Sequence, residues 1–255
     1  MVKKIITKLG SLYLFCLGMI LSNQLVWKIL NSKNRFLYKS SQKKLSQLEK
    51  KLLTQLKKDG IAITSLQELF GIDQVNFLDW KEKQKESNIT PNKKDFLTYY
   101  LGGSYQNKIQ KFYTKDVLID FSLSDELLSI VNGYFNMFTR LVYLEFNETK
   151  IIEEKESLKM SQNFHRDPGL HGCIKVFLYL TKVEEGGGAF TYIKDSHFLG
   201  KFGKVLRSKY FGAGGVYPSL DKINKEIPQE NITEVFGDIG TVIIADTTGL
   251  HRGGI

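Results

Sequence analysis

The chain has 255 residues, of which 42% are apolar and 25% charged, a composition typical of a folded globular protein and not of a disordered or fibrous one. Its net charge of +9 arises in the first 60 residues, where 13 Lys or Arg side chains face two acidic ones. The rest of the chain is close to neutral, which argues against a nucleic-acid partner, and two cysteines are too few for a disulfide scaffold.

An apolar and basic segment, residues 1–38, begins the chain. Its stretch 9–27 is uncharged and approaches the length that spans a bilayer, although polar residues at 22–24 interrupt it. Three interpretations stay open: a helix docked on the protein, an interfacial helix that contacts an anionic membrane peripherally, and a membrane anchor. No small-x-small cleavage site follows, so we expect no signal peptide and a cytoplasmic protein with membrane association left open.

The next elements are a helix and a strand. Residues 40–58 form a predicted amphipathic helix, because leucines recur at spacings of three and four residues among lysines. Gly60 is a plausible helix stop, and 61–64 is a predicted short strand. We expect the leucine stripe to pack in the core.

The middle of the chain alternates loops with single elements. Residues 81–95 are polar and contain a proline, so they indicate a loop. Asp125 to Met137 is a predicted helix with Ser124 as its N-cap, and Arg140 to Phe146 is a predicted strand. The charge-rich residues 147–158 are expected to form a loop near the mouth of the site.

Two short segments carry the chemistry. One contains His165 and Asp167 in an H-x-D pattern, and the other places His251 in an Asp-Thr-Thr-Gly-Leu-His-Arg-Gly-Gly run. On a strand, His165 and Asp167 would point to the same side, because side chains alternate with period two. Two imidazoles and one carboxylate are the facial triad of non-haem Fe(II) oxygenases. A lone H-x-D is common by chance, but the chain has only four histidines.

The residues around the triad indicate strands. Residues 172–181 are strongly β-prone, and 189–193 follow a triple-glycine turn as a second predicted strand. Residues 237–246 are predicted as a turn and a buried strand that leads to His251. The stretch 200–234 has few regular signals, and either covers the substrate or is a solvated loop.

The stretch from Ser161 to Gly254 resembles the phytanoyl-CoA dioxygenase family of Fe(II)/2-oxoglutarate oxygenases. The matching motifs are Ser-Gln-x-x-His-Arg-Asp-Pro, Lys-Val-Phe-Leu-Tyr-Leu, Gly-x-Phe-Thr-Tyr-Ile-x-x-Ser-His and Asp-Thr-Thr-Gly-Leu-His-Arg-Gly-Gly. This resemblance implies a mainly β fold with flanking α-helices and a double-stranded β-helix (jelly-roll) core. It also implies Fe(II) bound by His165, Asp167 and His251, with 2-oxoglutarate as co-substrate and O2 as oxidant. Less distinctively, Lys57 to Leu69 resembles the family's N-terminal helix and strand.

The sequence departs from the family pattern at its end. The family binds the distal carboxylate of 2-oxoglutarate with a basic residue several positions after the second histidine, and the sequence ends at Ile255. Arg252 would point to the other face of a strand, so it is a poor substitute. We therefore expect a domain over 39–255 that is incomplete at its C-terminus and lacks its closing strand or strands.

Weaker candidates for binding the co-substrate lie near the triad. Tyr179 and Lys175 share one face of the strand after the H-x-D pattern, and Tyr179 is the better placed by sequence alone. For each, a structural role in the core or at the barrel edge is the more common alternative. Gln162 precedes His165 and could bind the co-substrate or orient a ligand.

The implied function is that of an oxidoreductase, an iron- and 2-oxoglutarate-dependent dioxygenase that hydroxylates a small-molecule, lipid or sugar-type substrate and releases succinate and CO2. A carboxylate at Asp167 favours hydroxylation, because related halogenases have a small residue there for halide binding. Two alternatives stay open. One is a non-catalytic, membrane-associated binding protein that retains the barrel, and the other is a cupin-like metal enzyme that does not use 2-oxoglutarate. Neither the substrate nor the oligomeric state follows from the sequence.

Overall fold

The computed structural model describes most of the chain between residues 20 and 253. The described residues are 20, 23–71, 96–103, 106–113, 117–144, 160–167, 169, 171–205 and 217–253, with only the backbone course given for 96–103, 106–113 and 117–118. The predicted loops over 81–95 and 147–158 and the first 19 residues lie outside the described residues.

Helices and strands alternate along the described part of the chain. The helices are α1 (Gln24–Leu30), α2 (Ser32–Ser40), α3 (Gln47–Asp59), α4 (Leu66–Phe70), α5 (Val117–Ser122), α6 (Asp125–Phe135) and α7 (Leu220–Glu226). The strands are β1 (Ile61–Ser65), β2 (Phe96–Gly103), β3 (Gln106–Tyr113), β4 (Ile174–Leu178), β5 (Phe190–Ile193), β6 (Ile232–Val235), β7 (Thr241–Asp246) and β8 (His251–Arg252). Short 3-10 turns cover Met160–Gln162 and Gln229–Asn231.

The first sheet is antiparallel, with strand order β1-β7-β4. Because side chains alternate along each strand, one face of this sheet presents Ala62, Val176 and Ile244 to the helices. Leu56 of α3 and Ile130 of α6 are fully buried in the same cluster. This cluster attaches the helices to the outside of the sheet.

The second sheet has the order β6-β5-β8 and packs on the inner face of the first. Phe190 and Tyr192 of the second sheet share a buried cluster with Ile61, Ile243 and Ala245 of the first. The result is a β-rich body of two small antiparallel sheets with helices outside. Closure into a jelly roll stays a prediction. Strands β2 and β3 form a separate two-stranded hairpin, which the sequence did not indicate.

Local signals place α3 and β1 close to their predicted positions. Ser46 and Glu49 form a reciprocal capping box, so the helix begins at Gln47 and not near residue 40. Gly60 ends the helix with a φ of +78°, a left-handed conformation that glycine adopts readily. A Cβ at this position would lie 2.4 Å from the Tyr192 hydroxyl, so the close packing of α3 on the second sheet also requires glycine.

Two predictions for the middle of the chain need correction. Helix α6 begins after the predicted Ser124 cap but ends at Phe135, where Asn136 adopts a φ of +51°. The prediction of a strand from Arg140 is wrong for residues 140–144, which form no strand. The segment is anchored on helices and not on a sheet, because Thr139 donates two hydrogen bonds of 2.8 Å to Asn132 Oδ1.

The stretch 200–234 is more regular than its sequence indicates. It contains α7 and β6, and β6 pairs with β5 along its whole length. Ile223 of α7 is fully buried beside Phe164 and Leu250. Residues 206–216 of this stretch are outside the described part of the chain.

Helices α1 and α2 lie against the body of the protein. Trp27 packs on the His171 ring at 5.1 Å, and Tyr38 is buried edge-on against Phe138. Arg35 donates a hydrogen bond to the Phe135 carbonyl. Over the residues that the structure describes, no helix has both the length and the apolar character needed to cross a membrane.

The cluster that joins α3 to the first sheet predicts a stability effect. Leu56→Ala should lower the free energy of unfolding by about 2–5 kcal/mol, because it removes buried methyl groups and leaves a cavity. Urea unfolding followed by circular dichroism measures this change. Lys57, the exposed residue next to Leu56, serves as the control. Lys57→Ala should change the free energy of unfolding by less than about 0.5 kcal/mol. Equal small effects in both variants would contradict the described core.

Candidate metal centre

The structure brings His165, Asp167 and His251 together between the two sheets. One potential ligand atom from each residue lies within 4.8 Å of the others. Asp167 Oδ1 is 3.9 Å from His165 Nε2, and Asp167 Oδ2 is 3.7 Å from His251 Nε2. The His251 side chain is almost fully buried at 4% exposed, whereas His165 and Asp167 retain 13% and 15%. Solvent therefore reaches the cluster from the His165 and Asp167 side.

Backbone pairing creates this cluster. His165 and His251 face each other as an antiparallel pair, in which each amide donates to the other's carbonyl at 2.8 and 3.0 Å. Residues directly opposite in such a pair place their side chains side by side, and the two ring centroids are 4.3 Å apart. The Asp167 amide donates to the Thr247 carbonyl at 2.8 Å, which extends the pairing to the third ligand.

Both imidazoles are oriented by backbone carbonyls. His165 Nδ1 lies 2.9 Å from the Asn163 carbonyl, and His251 Nδ1 lies 3.0 Å from the Gly249 carbonyl. A carbonyl oxygen only accepts, so each Nδ1 carries a proton in this geometry, and in the neutral form of either ring the free lone pair is then on Nε2. Such outer hydrogen bonds are the usual way in which proteins fix the tautomer of a metal-binding histidine.

Lys175 adds a positive charge beside the carboxylate. Its Nζ is 2.7 Å from Asp167 Oδ2, and it points inward from β4 because its neighbours Ile174 and Val176 face the helices. Burial alone would raise the pKa of Asp167, but the charges of His251 and Lys175, with hydrogen bonds from Lys175 and Thr247, lower it below its usual value. Burial opposes the charged form of Lys175 too, yet the Asp167 carboxylate raises the pKa of Lys175 overall.

Burial lowers the pKa of the second histidine, His251. It disfavours the imidazolium form, and together with the charge of His165 it lowers the pKa of His251 from 6.5 to about 4. His251 is therefore neutral at physiological pH. Because a metal binds only the neutral imidazole, burial keeps this ligand ready to bind.

Arg166, between the two near ligands, points away from the cluster and holds the surrounding loops. Its guanidinium donates to the carbonyls of Ser196, Thr248, Phe202 and Val205, the last three at 2.7, 3.1 and 2.9 Å. These carbonyls belong to the loop after β5 and to the turn between β7 and β8. One cation therefore joins the H-x-D segment to both neighbouring loops.

The Asp246 carboxylate organises the turn that leads to His251. It is 1% exposed, and its Oδ1 accepts hydrogen bonds from Cys173 N, Thr248 N and Thr248 Oγ1 at 2.8–3.1 Å. Its Oδ2 accepts from the Tyr134 hydroxyl of α6 at 2.6 Å. Helix α6 and the start of β4 are thus attached to the turn that positions the third ligand.

The other predicted site residues occupy different positions. The Tyr179 hydroxyl donates to the Val235 carbonyl at 2.8 Å and accepts from the Phe190 amide, within the buried cluster between the sheets. Gln162 lies half-buried in the 3-10 turn before His165. Arg252 lies over the Phe164 ring and pairs with Glu234, on the opposite side of β8 from His251.

Three aromatic residues near the cluster were missed from the sequence. Tyr217 places its ring 5.9 Å from that of His165, and Phe190 lies 5.7 Å from His251. Tyr143 lies beneath the Lys175 ammonium at 6.0 Å. For Tyr217 the only signal was its place in the stretch expected to cover a substrate. Tyr143 lay in the incorrectly predicted strand, and Phe190 was indicated only as part of a strand.

The donor set fits a divalent transition metal. Such ions bind nitrogen and oxygen at about 2.0–2.2 Å, so adjacent ligands of an octahedral ion lie about 3 Å apart. The carboxylate oxygens are 3.9 and 3.7 Å from the two imidazole nitrogens, so shifts below about 1 Å would close the site. Two imidazoles and one carboxylate on one side leave the remaining positions of the ion for other ligands.

Comparison with known proteins gives only distant similarities. No protein-family model matches the chain, and no curated protein matches it. Among solved structures, it is similar to AviO1 from Streptomyces viridochromogenes Tue57 (12% identity, TM-score 0.43, covering 83% of this chain and 89% of that one). It is also similar to EctD from S. alaskensis with bound Fe (12% identity, TM-score 0.41, covering 82% of this chain and 70% of that one). A third is HygX from Streptomyces hygroscopicus with nickel and 2-oxoglutarate bound (14%, 0.40, 83% and 81%).

The four-carbonyl contact of Arg166 predicts a large stability effect for a charge-conserving change. Arg166→Lys should lower the free energy of unfolding by about 2–4 kcal/mol, because one ammonium cannot reach carbonyls on both loops. Chemical denaturation of the variant and the wild type measures the difference. Arg140→Lys, at an exposed position, is the matched control. If Arg166→Lys behaved like that control, the loops would not depend on this guanidinium.

The buried His251 predicts a pH dependence of stability. As pH falls from 6.5 towards 4, the unfolded chain protonates His251 while the folded protein keeps it neutral, so the free energy of unfolding decreases. With a slope of about 1.4 kcal/mol per pH unit, the loss between about pH 6.5 and about pH 5 is about 2 kcal/mol. Urea unfolding with a chelator present tests this loss. His251→Gln should flatten the profile over this window, and an unchanged slope in that variant would contradict the assignment.

Proposed function

We propose that the chain is a non-haem Fe(II)- and 2-oxoglutarate-dependent dioxygenase of the phytanoyl-CoA dioxygenase type, built on a jelly-roll core. Its substrate is a small molecule, or a lipid- or sugar-type compound, that undergoes hydroxylation. The observation that carries this proposal is the cluster of two imidazoles and one carboxylate, with donor atoms within 4.8 Å of one another. The motif resemblance over residues 161–254 adds the choice of iron and 2-oxoglutarate.

The iron, with 2-oxoglutarate and O2, would supply C–H hydroxylation with release of succinate and CO2. The protein would contribute the positions and orientations of the metal-binding side chains. His165, Asp167 and His251 would hold one side of the ion, and the Asn163 and Gly249 carbonyls keep the imidazole nitrogens directed at it. Phe190 packs on His251 and excludes water from the inner side of the cluster.

Lys175 is the better candidate for binding a carboxylate of 2-oxoglutarate. Its ammonium is half-buried and already lies 2.7 Å from a carboxylate oxygen, that of Asp167. The Tyr179 hydroxyl, by contrast, is engaged with the backbone of β5 and β6. Lys175 could therefore exchange its partner for a bound co-substrate without breaking a contact between the sheets, whereas Tyr179 could not.

The metal assignment predicts a visible signature. Anaerobic titration of the protein with Fe(II) and then 2-oxoglutarate should give a metal-to-ligand charge-transfer band. His165→Ala and Asp167→Ala should abolish the band, because each removes one of three ligands. His171→Ala, which changes a half-exposed histidine outside the cluster, should retain it. Iron binding without the band would contradict 2-oxoglutarate as co-substrate, and no iron binding by folded protein would contradict the metal site itself.

The choice between Lys175 and Tyr179 is open to a paired test. Lys175→Gln should raise the 2-oxoglutarate concentration that half-saturates the band by about tenfold or more, since it removes a buried charged partner. Tyr179→Phe should change this concentration by less than about twofold, since its hydroxyl serves the backbone. Iron affinity, measured separately, shows whether either variant disturbs the metal. The reverse pattern would assign the carboxylate to Tyr179.

A further inference from the structure

Helices α1 and α2 present a second, outward apolar face in addition to the face that packs on the protein. Five large apolar side chains on this outward face are between 43% and 71% exposed, and they recur at helical spacing. They are Leu25, Ile29, Leu30, Phe36 and Leu37. We call them, with the exposed Lys28, Lys33 and Lys39, the α1–α2 patch.

The inward face of the same helices already accounts for their packing. Trp27 contacts His171, the Asn34 carbonyl accepts from the Phe138 amide, and Tyr38 is buried. Leu25, Ile29, Phe36 and Leu37 are 43–71% exposed, so a large part of each side chain lies outside that interface. Monomeric soluble proteins rarely expose contiguous apolar surface of this kind unless it binds something.

The charge of the patch identifies the kind of partner. From residue 20 to residue 48 the sequence contains no acidic side chain, while lysines recur within and after both helices. Exposed apolar side chains beside cations alone match the interface of an anionic membrane, where acyl chains lie next to negative headgroups.

We propose that the α1–α2 patch is a peripheral membrane-binding surface selective for anionic lipid. The helices would lie in the plane of the interface, with Leu25, Ile29 and Phe36 inserted below the headgroups and the lysines at headgroup level. The inward face stays on the protein, so the body is held at the membrane without a spanning segment.

A cavity lies beside the α1–α2 patch, and this orientation would place it near the membrane interface. It has a volume of about 740 Å³ and is lined by α1, by the segment after α6 and by His171. Leu30 belongs to both the patch and the cavity wall, so the cavity lies next to the proposed membrane surface. A lipid-derived molecule would then reach the protein from the interface and not from bulk water.

Vesicle co-sedimentation of the full chain tests the proposal. The protein should sediment with vesicles of phosphatidylcholine and phosphatidylserine, bind far less to phosphatidylcholine alone, and dissociate as salt rises. Phe36→Ser/Leu37→Ser should weaken binding by about tenfold or more, because it removes inserted apolar surface. These two positions lie outside the uncharged stretch 9–27, so the variant separates the patch from that stretch.

Matched controls make each outcome decisive. Leu199→Ser/Leu220→Ser removes two exposed leucines outside the patch and should leave vesicle binding unchanged. A chelator is present throughout, so the result is independent of the iron proposal. Failure to bind the anionic vesicles, or equal binding by the Phe36→Ser/Leu37→Ser variant, would overturn the proposal. So would concentration-dependent dimerisation that this variant abolishes, since a second copy would then be the partner.

Discussion

The site depends on one antiparallel backbone pair, the two hydrogen bonds exchanged between His165 and His251. Neither residue lies in a long strand: His165 forms an isolated bridge, and β8 has only two residues. The pair nevertheless holds the two residues directly opposite each other, which sets how far apart their imidazoles can lie. Asp167 joins through the Thr247 carbonyl, so all three ligands are set by main-chain geometry.

A pair this short needs external support, and two side chains, the half-buried Arg166 and the buried Asp246, provide it. Arg166 donates hydrogen bonds to carbonyls of the loop after β5 and of the turn before β8. Asp246 accepts hydrogen bonds from amide and hydroxyl groups of the same turn and of α6. Buried charges are costly unless fully hydrogen-bonded. Here most of their partners are backbone groups, so the two side chains connect the segments that surround the three site residues.

Much of this arrangement was readable from the sequence, because it rests on local signals. The Ser124 cap, Gly60 and the apolar runs of β4 and β7 predicted their elements to within a few residues, but the Ser46 capping box that starts α3 was missed. The parts that were not predictable depend on distant partners. The segment 140–144 lost its predicted strand because Thr139 is bound to Asn132, and Tyr217 approaches His165 through a long stretch with no periodic pattern. The ion pair of Lys175 with Asp167 likewise joins two elements whose registers no local pattern reveals.

That ion pair explains how a largely buried carboxylate stays ionised beside two imidazoles. A metal ion must displace any proton on its ligands, and each displacement weakens binding. Burial and the charge of His165 keep His251 neutral, while Lys175 keeps Asp167 ionised although the carboxylate is largely buried. When His251 is neutral, the Lys175 ammonium still balances the carboxylate. A divalent cation would therefore meet a neutral His251 and an ionised Asp167 at physiological pH, and under the proposed function its charge would release Lys175 to bind an anionic co-ligand.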